Sequence, residues 1–398
     1  MKNFFSIIKI IMVFLVSLIG SLQAAYYDTL PKGVRNLTYR FIQTGNITGS
    51  YGSSGDLKGY NISANLNAES IRGISTAVDA YLDNLKTTSP ADYASFSFGS
   101  FQGSASSRVS VQGFGGGYGI TKQLTVYGFI PYYSAVVDLQ IERTAKGRKN
   151  VGTTISLENL PDVDVRLIQS LFVNYYQYRP LGKWRATDFG DAELGLMYQV
   201  KKWRNAGALI TMGLVAPTGR KDNPDILQDI AFGDGQWDIF YEFGGGFNLS
   251  TDWSIDAWSR ITYQLPYNTS ARLPDSSVFP VTSQKGLAKI KLGNKFSANF
   301  QGNYKFSDEW MSSLIYGAEY VERSQYTSKS SLADAILESD TEKLSHIARL
   351  NMSYSTLSLY QQKKFIAPIS FNLAVQSIFA GKNIPKYERA DFEVRLFF

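Results

Sequence analysis

The stretch that decides the fold runs Gly286-Leu287-Ala288-Lys289-Ile290-Lys291-Leu292-Gly293-Asn294-Lys295-Phe296-Ser297-Ala298-Asn299-Phe300-Gln301-Gly302-Asn303-Tyr304-Lys305-Phe306. Its even positions from Ala288 are Ala, Ile, Leu, Asn, Phe, Ala, Phe, Gly, Tyr and Phe; its odd positions from Lys289 are Lys, Lys, Gly, Lys, Ser, Asn, Gln, Asn and Lys. Successive side chains of a β-strand point to opposite faces. One face of this run is therefore apolar and aromatic, the other polar and charged. Strands of soluble proteins run about 5–6 residues, whereas a tilted strand crossing a bilayer needs about 9–11. A two-sided run of this length predicts one strand, 286–306, of a transmembrane barrel.

The pattern recurs outward from there. Residues 237–249 set Trp237, Ile239, Tyr241, Phe243, Phe247 and Leu249 against Gln236, Asp238, Glu242 and Asn248. Residues 253–267 set Trp253, Ile255, Ala257, Ile261, Tyr263, Leu265 and Tyr267 against Asp256, Arg260, Thr262 and Gln264. The runs 346–360 and 387–398 behave alike, and 35–48, 105–120, 123–141, 187–201, 205–217, 309–326 and 364–380 complete a set of twelve. In 105–120 the alternation changes phase across Gly115-Gly116-Gly117, which predicts a bulge or bend.

Connections alternate too. Short links fall near 121–122, 202–205, 250–252, 307–309 and 361–363; long ones span roughly 49–104, 142–186, 218–234, 268–285, 327–343 and 381–386. Short turns at one end and long loops at the other are the layout of an outer-membrane barrel. In hydrocarbon all backbone polar groups must pair internally, so only helices or closed barrels span. The expected fold class is all-β: a transmembrane antiparallel β-barrel of about 12 strands, with short helices in long extracellular loops. Trp203, Trp237, Trp253, Tyr267, Trp310 and Tyr326 fall near strand ends, where interfacial girdles belong. A large soluble β protein is the competing reading; it has no need of the long-and-short loop rhythm.

Composition narrows the functions. Among 398 residues there is no cysteine and one histidine, His346, which excludes thiolate metal sites, a cysteine nucleophile and multi-histidine metal centres. Mean hydropathy is −0.15, too low for a bundle of membrane helices. Residues 1–24 carry Lys2 and Lys9, no acid, an apolar core from Ile10 to Val16 and small residues up to Ala24-Ala25, the order of a secretory signal. The expected division is a cleaved signal peptide, 1–24, and an outer-membrane barrel, 25–398, in a Gram-negative bacterium. Without the leader, 38 Lys+Arg face 34 Asp+Glu, a balance of +4 that points to no nucleic acid or other polyanion. No phosphate-binding Gly-rich loop is present, and no cofactor is expected.

If the aromatic faces meet lipid, the opposite faces line the lumen. The pore-lining candidates are Arg40, Glu193, Asp238, Glu242, Asp256, Arg260, Lys289, Lys291, Lys295, Glu319, Arg349, Arg389, Asp391, Glu393 and Arg395. Lys289, Lys291 and Lys295 form a basic ladder on the one expected strand, a hint of anion preference. These charges could equally pair across strands and fill a narrow barrel. In the long loops, 70–85 and 163–178 space apolar residues as helices do, and so does 329–342. Ile74, Val78, Leu82, Leu171, Phe172, Tyr175, Tyr176 and Trp184 are candidates for an apolar loop pocket, or for a lid packed on itself. Asp222, Asp225, Asp229 and Asp234 could hold calcium, but their spacing matches no defined calcium loop. A hydrogen-bonded turn cluster is the preferred reading, and no metal is expected.

Two resemblances follow from the residues. The ending Arg395-Leu396-Phe397-Phe398 resembles the C-terminal signal of outer-membrane proteins, which implies the barrel-assembly machinery as a partner through Phe398. The stretches Ala216-Pro217-Thr218-Gly219-Arg220-Lys221-Asp222-Asn223-Pro224 and Phe232-Gly233-Asp234-Gly235-Gln236-Trp237-Asp238 resemble the meta-pathway phenol-degradation family of exported barrels. Tyr263-Gln264-Leu265-Pro266 and Thr29-Leu30-Pro31-Lys32-Gly33-Val34-Arg35 fit the same pattern. A more distant similarity is to the long-chain fatty-acid channels. The resemblance implies uptake of small, often aromatic or apolar, compounds across the outer membrane.

The expected function is a passive channel for small hydrophobic or aromatic solutes, with outer-membrane lipid and the solute as partners. The alternatives are a surface receptor, adhesin or structural barrel without transport, and an outer-membrane phospholipase. The last needs a serine activated by His346, but adjacent Ser345 points to the opposite face of a strand. No enzyme activity is expected.

Overall fold

The computed structural model describes residues 26–73, 76–148, 163–277 and 280–398, so the expected signal segment 1–24 and Ile74 lie outside the described residues. Twelve strands form the barrel: β1 (Arg35–Thr44), β2 (Ser97–Gly119), β3 (Leu124–Arg148), β4 (Ala192–Lys202), β5 (Ala206–Ala216) and β6 (Asp238–Asn248), then β7 (Trp253–Gln264), β8 (Lys295–Lys305), β9 (Trp310–Val321), β10 (Lys343–Ser355), β11 (Ile369–Lys382) and β12 (Glu388–Phe397). Each pairs antiparallel with the next, and β1 closes on β12 from Asn36↔Phe397 to Thr44↔Arg389. At the seam Arg35 and Phe398 exchange backbone hydrogen bonds of 2.8 and 3.0 Å. No edge is left open, which is the condition for a sheet to cross hydrocarbon.

Alternation sorts the side chains as expected. Leu194, Leu196 and Tyr198 of β4 and Ile210, Met212 and Leu214 of β5 face outward, as do Leu314 and Leu373, 64% and 59% exposed. Such a continuous exposed apolar belt on a closed barrel is a lipid-facing surface. Trp203, Trp253 and Trp310 rim the short-turn end; Trp253 packs on Tyr304 and Trp310 on Tyr354, with ring centroids 4.7 and 4.8 Å apart.

Two local expectations are corrected. Residues 286–306 are not one strand: Lys285–Lys291 leaves the barrel and joins a small sheet with Tyr267–Arg272 and Gln325–Thr327, while β8 begins at Lys295. The break, Leu292-Gly293-Asn294, preserves the even–odd parity, and a Cβ on Gly293 would collide with the Glu322 carbonyl. Gly115-Gly116-Gly117 carries no bulge, because its register with β1 runs unbroken and Phe114 and Tyr118 both point outward. Register shifts fall elsewhere: at Ser100/Phe101 in β2 against β3, at Gln199/Lys201 in β4 against β5, and at His346/Ile347 in β10 against β11.

β2 and β3, 23 and 25 residues long, outgrow the barrel at the long-loop end. Asn61–Asn67 extends β2, and Lys183–Phe189 extends β3. Over that extension pack helices α1 (Thr76–Thr88) and α2 (Pro90–Ser95); α3 (Val165–Ser170) lies beside β3. Another helix, α4 (Ser331–Glu338), packs on the small three-stranded sheet.

Candidate transport path

At the long-loop end a cavity of about 700 Å³ lies between the loops 217–237, 265–294 and 322–342. Its upper wall is apolar, with Ile226, Leu227, Leu332, Ile336, Tyr267 and Tyr326. Deeper in, Asp234, Gln264, Lys295 and Lys343 supply polar groups. Burial pushes the Tyr326 hydroxyl up to about 12, so it stays protonated and can donate at neutral pH.

Two arginines, Arg272 buried and Arg220 partly buried, hold these loops. Arg272 donates to the carbonyls of Tyr176 (2.7 Å), Gln177 (2.6 Å), Thr282 (2.5 Å) and Pro224 (2.8 Å), pairs with Asp225 at 2.7 Å, and lies 3.7 Å from the Tyr178 ring centroid. Arg220 makes two bonds to Asp229, at 2.8 and 2.7 Å, between the rings of Trp184 and Phe232. Asp191 accepts from the backbone N–H of Gly219 and Asp234, and a Cβ on Gly219 would come within 2.7 Å of the Gly233 Cα. These contacts account for the Pro-Thr-Gly-Arg and Phe-Gly-Asp-Gly stretches. Of the four aspartates weighed for calcium, three are engaged by cations of the chain: Asp225 by Arg272 and Lys285, Asp229 by Arg220 and Asp234 by Lys295.

Below the cavity the lumen carries charge asymmetrically. On the β10–β12 and β1 wall, Asp391 meets Arg40 and Arg349 at 2.5 Å and Arg389 at 3.2 Å, and Glu393 meets Arg395 at 2.8 Å. On the wall from β4 to β7, Arg260 pairs with Glu193 at 2.7 Å and lies 3.7 Å from the Phe240 ring centroid, amid Asp238, Glu242 and Asp256. A second cavity of about 90 Å³ sits by the basic wall, bordered by Arg349, Arg389, Glu319, Ser345 and Trp258. Along β10, Lys343 borders the upper cavity and Ser345 the lower one.

Residues 26–31 run inside the short-turn end. Tyr26 stacks on Trp258, ring centroids 4.8 Å apart, and its hydroxyl donates to Glu242. Gln199 donates to the Tyr27 carbonyl at 2.9 Å, Lys202 pairs with Asp28 at 2.6 Å, and the Leu30 N–H bonds Thr125 at 2.9 Å. The seat for the two tyrosines is bare backbone: side chains at Gly207 and Gly244 would strike the rings of Tyr27 and Tyr26. Residues 26–31 thus occupy the lumen at this end.

The structure brings Arg40, Arg349, Arg389, Asp391 and Glu393 together on one wall and Glu193, Glu242, Asp256 and Arg260 toward the other, with Lys295 and Asp238 near the upper cavity. Lys289 and Lys291 stand apart from Lys295, exposed on the small outer sheet, so the three-lysine ladder does not exist. The loop candidates also lie off the cavity. Val78 and Leu82 pack with Tyr93 and Phe96 beneath α1, Phe172 and Tyr176 pack with Leu139 and Leu181, Trp184 joins Val109 and Tyr133, and Leu171 and Tyr175 are exposed. Helical spacing in 329–342 did mark a wall of the cavity, through α4. Arg272, Tyr267 and Tyr178 were missed as site residues. His346 sits on the outer face, its Nδ1 2.8 Å from the Tyr316 hydroxyl and its ring beside Phe379, while Ser345 is buried on the inner face.

No family model matches the chain, and no curated protein matches it in sequence. Among solved structures it is similar to the COG4313 outer membrane channel from Pseudomonas putida F1, with 14% identity and a TM-score of 0.54, over 95% of this chain and 100% of that one. It aligns more loosely with the P. putida toluene transporter TodX, at 12% identity and a TM-score of 0.34, over 92% and 90% of the two chains. A Pseudomonas aeruginosa FadL homologue aligns at 8% identity and 0.34, over 94% and 92%. The chain has the fold of an outer-membrane β-barrel, the architecture that its alternation foretold. The first of these neighbours shares that fold and is itself an outer-membrane channel.

Proposed function

We propose that the protein is an outer-membrane channel for passive uptake of small molecules, chiefly hydrophobic or aromatic compounds. The observation that carries this is the stack of compartments inside one closed barrel. An apolar-walled cavity opens among the long loops, a smaller cavity follows along β10, and a peptide segment, residues 26–31, fills the lumen below both. Apolar walls with a few placed polar groups are what a small-molecule site requires. The neighbour of like fold is named as a channel, which supports the same reading. A purely structural barrel has no use for a graded path. Phospholipase chemistry finds little support, since His346 faces outward and bonds to a tyrosine.

In this reading the long loops are extracellular, residues 26–31 close the periplasmic mouth, and residues 1–24 are a signal removed on export. Phe398, bonded at the seam, is the residue offered to the assembly machinery. The test is purification of the processed chain, reconstitution in vesicles, and entry of a neutral aromatic alcohol. Entry above protein-free vesicles is expected, and Leu332→Asp with Ile336→Asp should cut it about tenfold by placing charge on the apolar wall. Entry no faster than in empty vesicles would reject the channel.

A further inference from the structure

We propose that Arg40, Arg349 and Arg389 form a station for the carboxylate of a passing solute, with Asp391 as its resident stand-in. The proposal rests on the channel reading and names the solute class: small aromatic acids in their anionic form. Register builds the station. Arg349 on β10 lies opposite Gln376 on β11, Gln376 opposite Arg389 on β12, and Arg389 opposite Thr44 on β1. Three guanidinium groups therefore gather around the single carboxylate of Asp391.

Two further carboxylates face this cavity. Glu393 is engaged by Arg395 at 2.8 Å and by Asn372 at 3.4 Å. Glu319 approaches from β9, below Lys295 and Lys343. The arginines keep unused capacity: Arg40 is 3% exposed, yet its Nε lacks a hydrogen-bond acceptor, and Arg389, 8% exposed, meets only Asp391 among the described residues, at 3.2 Å through its Nε. Leaving a buried donor unpaired is unfavourable, and more so for a charged one. The cavity beside them has room for an incoming group.

Chemistry then selects the ligand. A guanidinium presents two parallel N–H donors that match the two oxygens of a carboxylate. Trp258, Ile315, Ile347 and Ile378 border the same cavity and suit an aromatic ring. A ring bearing a carboxylate satisfies both halves; a neutral alcohol satisfies only one. Asp391 can keep Arg40 while the solute takes Arg349 and Arg389, so transfer through the station makes and breaks hydrogen bonds only.

The test uses the full processed chain with 4-fluorobenzoate and 4-fluorobenzyl alcohol at mildly alkaline pH. Binding is read by fluorine NMR in detergent, and entry by vesicle uptake. Arg349→Gln should weaken benzoate binding and slow its entry about tenfold while leaving alcohol entry within about twofold. Asp391→Asn, checked for heat-modifiable migration on gels, should tighten benzoate binding. Equal losses for both compounds in Arg349→Gln, or no benzoate binding by the unaltered protein, would overturn the station. Alcohol entry without benzoate binding removes the station and leaves the channel; benzoate binding without entry of either compound removes the channel and leaves the station.

Discussion

The two ends of the barrel are closed by different means. At the long-loop end, segments anchored at both termini are knotted together by buried guanidinium groups, and they enclose a cavity rather than fill it. At the short-turn end, residues 26–31, which lead into β1, occupy the lumen through one ring stack, an ion pair and a few hydrogen bonds. Opening the first end means dismantling loop structure; opening the second means withdrawing a peptide. In the channel proposed above, the long-loop end would serve as a fixed vestibule and the short-turn end as the gate.

Replacing Arg272 with alanine is expected to erase the contrast most. It strips the carbonyls of Tyr176, Gln177, Thr282 and Pro224 of their shared donor and leaves Asp225 with Lys285 alone. A loss of about 3–5 kcal/mol in the loop assembly should follow, seen as rapid proteolysis of the loops with the barrel intact. Next comes Tyr26→Ala at the other end. Losing the Trp258 stack and the bond to Glu242 removes about 3 kcal/mol, raising the open fraction of the gate up to about a hundredfold in single-channel recordings. Recordings unchanged by this substitution would put the gate elsewhere.

A smaller effect separates the ends by pH. Burial alone would raise the Asp225 carboxyl, but hydrogen bonds from Lys285 and Arg272 hold it below the ordinary carboxylate range. A depressed acid stabilises the fold above its unfolded value of about 3.9, and that contribution fades as pH falls through the folded value. Amide exchange in 222–229 and 272–285, corrected for its intrinsic rate, should therefore quicken as pH drops below about 4 and show no such step in Asp225→Asn. The smallest effect belongs to Lys202→Ala. Its pair with Asp28 is half exposed on the lysine side, so gate opening should shift by less than about 1 kcal/mol.

The barrel was legible because lipid on one side and polar lumen on the other impose a strict period of two on residues such as those of β4 and β5. The same rule misled at 286–306, where Leu292-Gly293-Asn294 carries the chain out of the barrel without disturbing parity. Val78 and Leu82 were correctly placed on a helix, yet their apolar face is met by Tyr93 and Phe96 rather than by a solute cavity. Arg272 left no trace in the sequence because four of its partners are backbone carbonyls, which every residue has. The arginines around Asp391 were individually visible at alternate positions; their convergence depends on register between β1, β10 and β12, which alternation alone leaves free.

The recess that receives Tyr26 and Tyr27 is made by what Gly207 and Gly244 lack. Those glycines belong to β5 and β6, whereas the arginine cluster belongs to β1, β10 and β12. If the channel and the carboxylate station hold, leakiness and solute preference would rest on separate staves of the same cask, so one could be altered without the other.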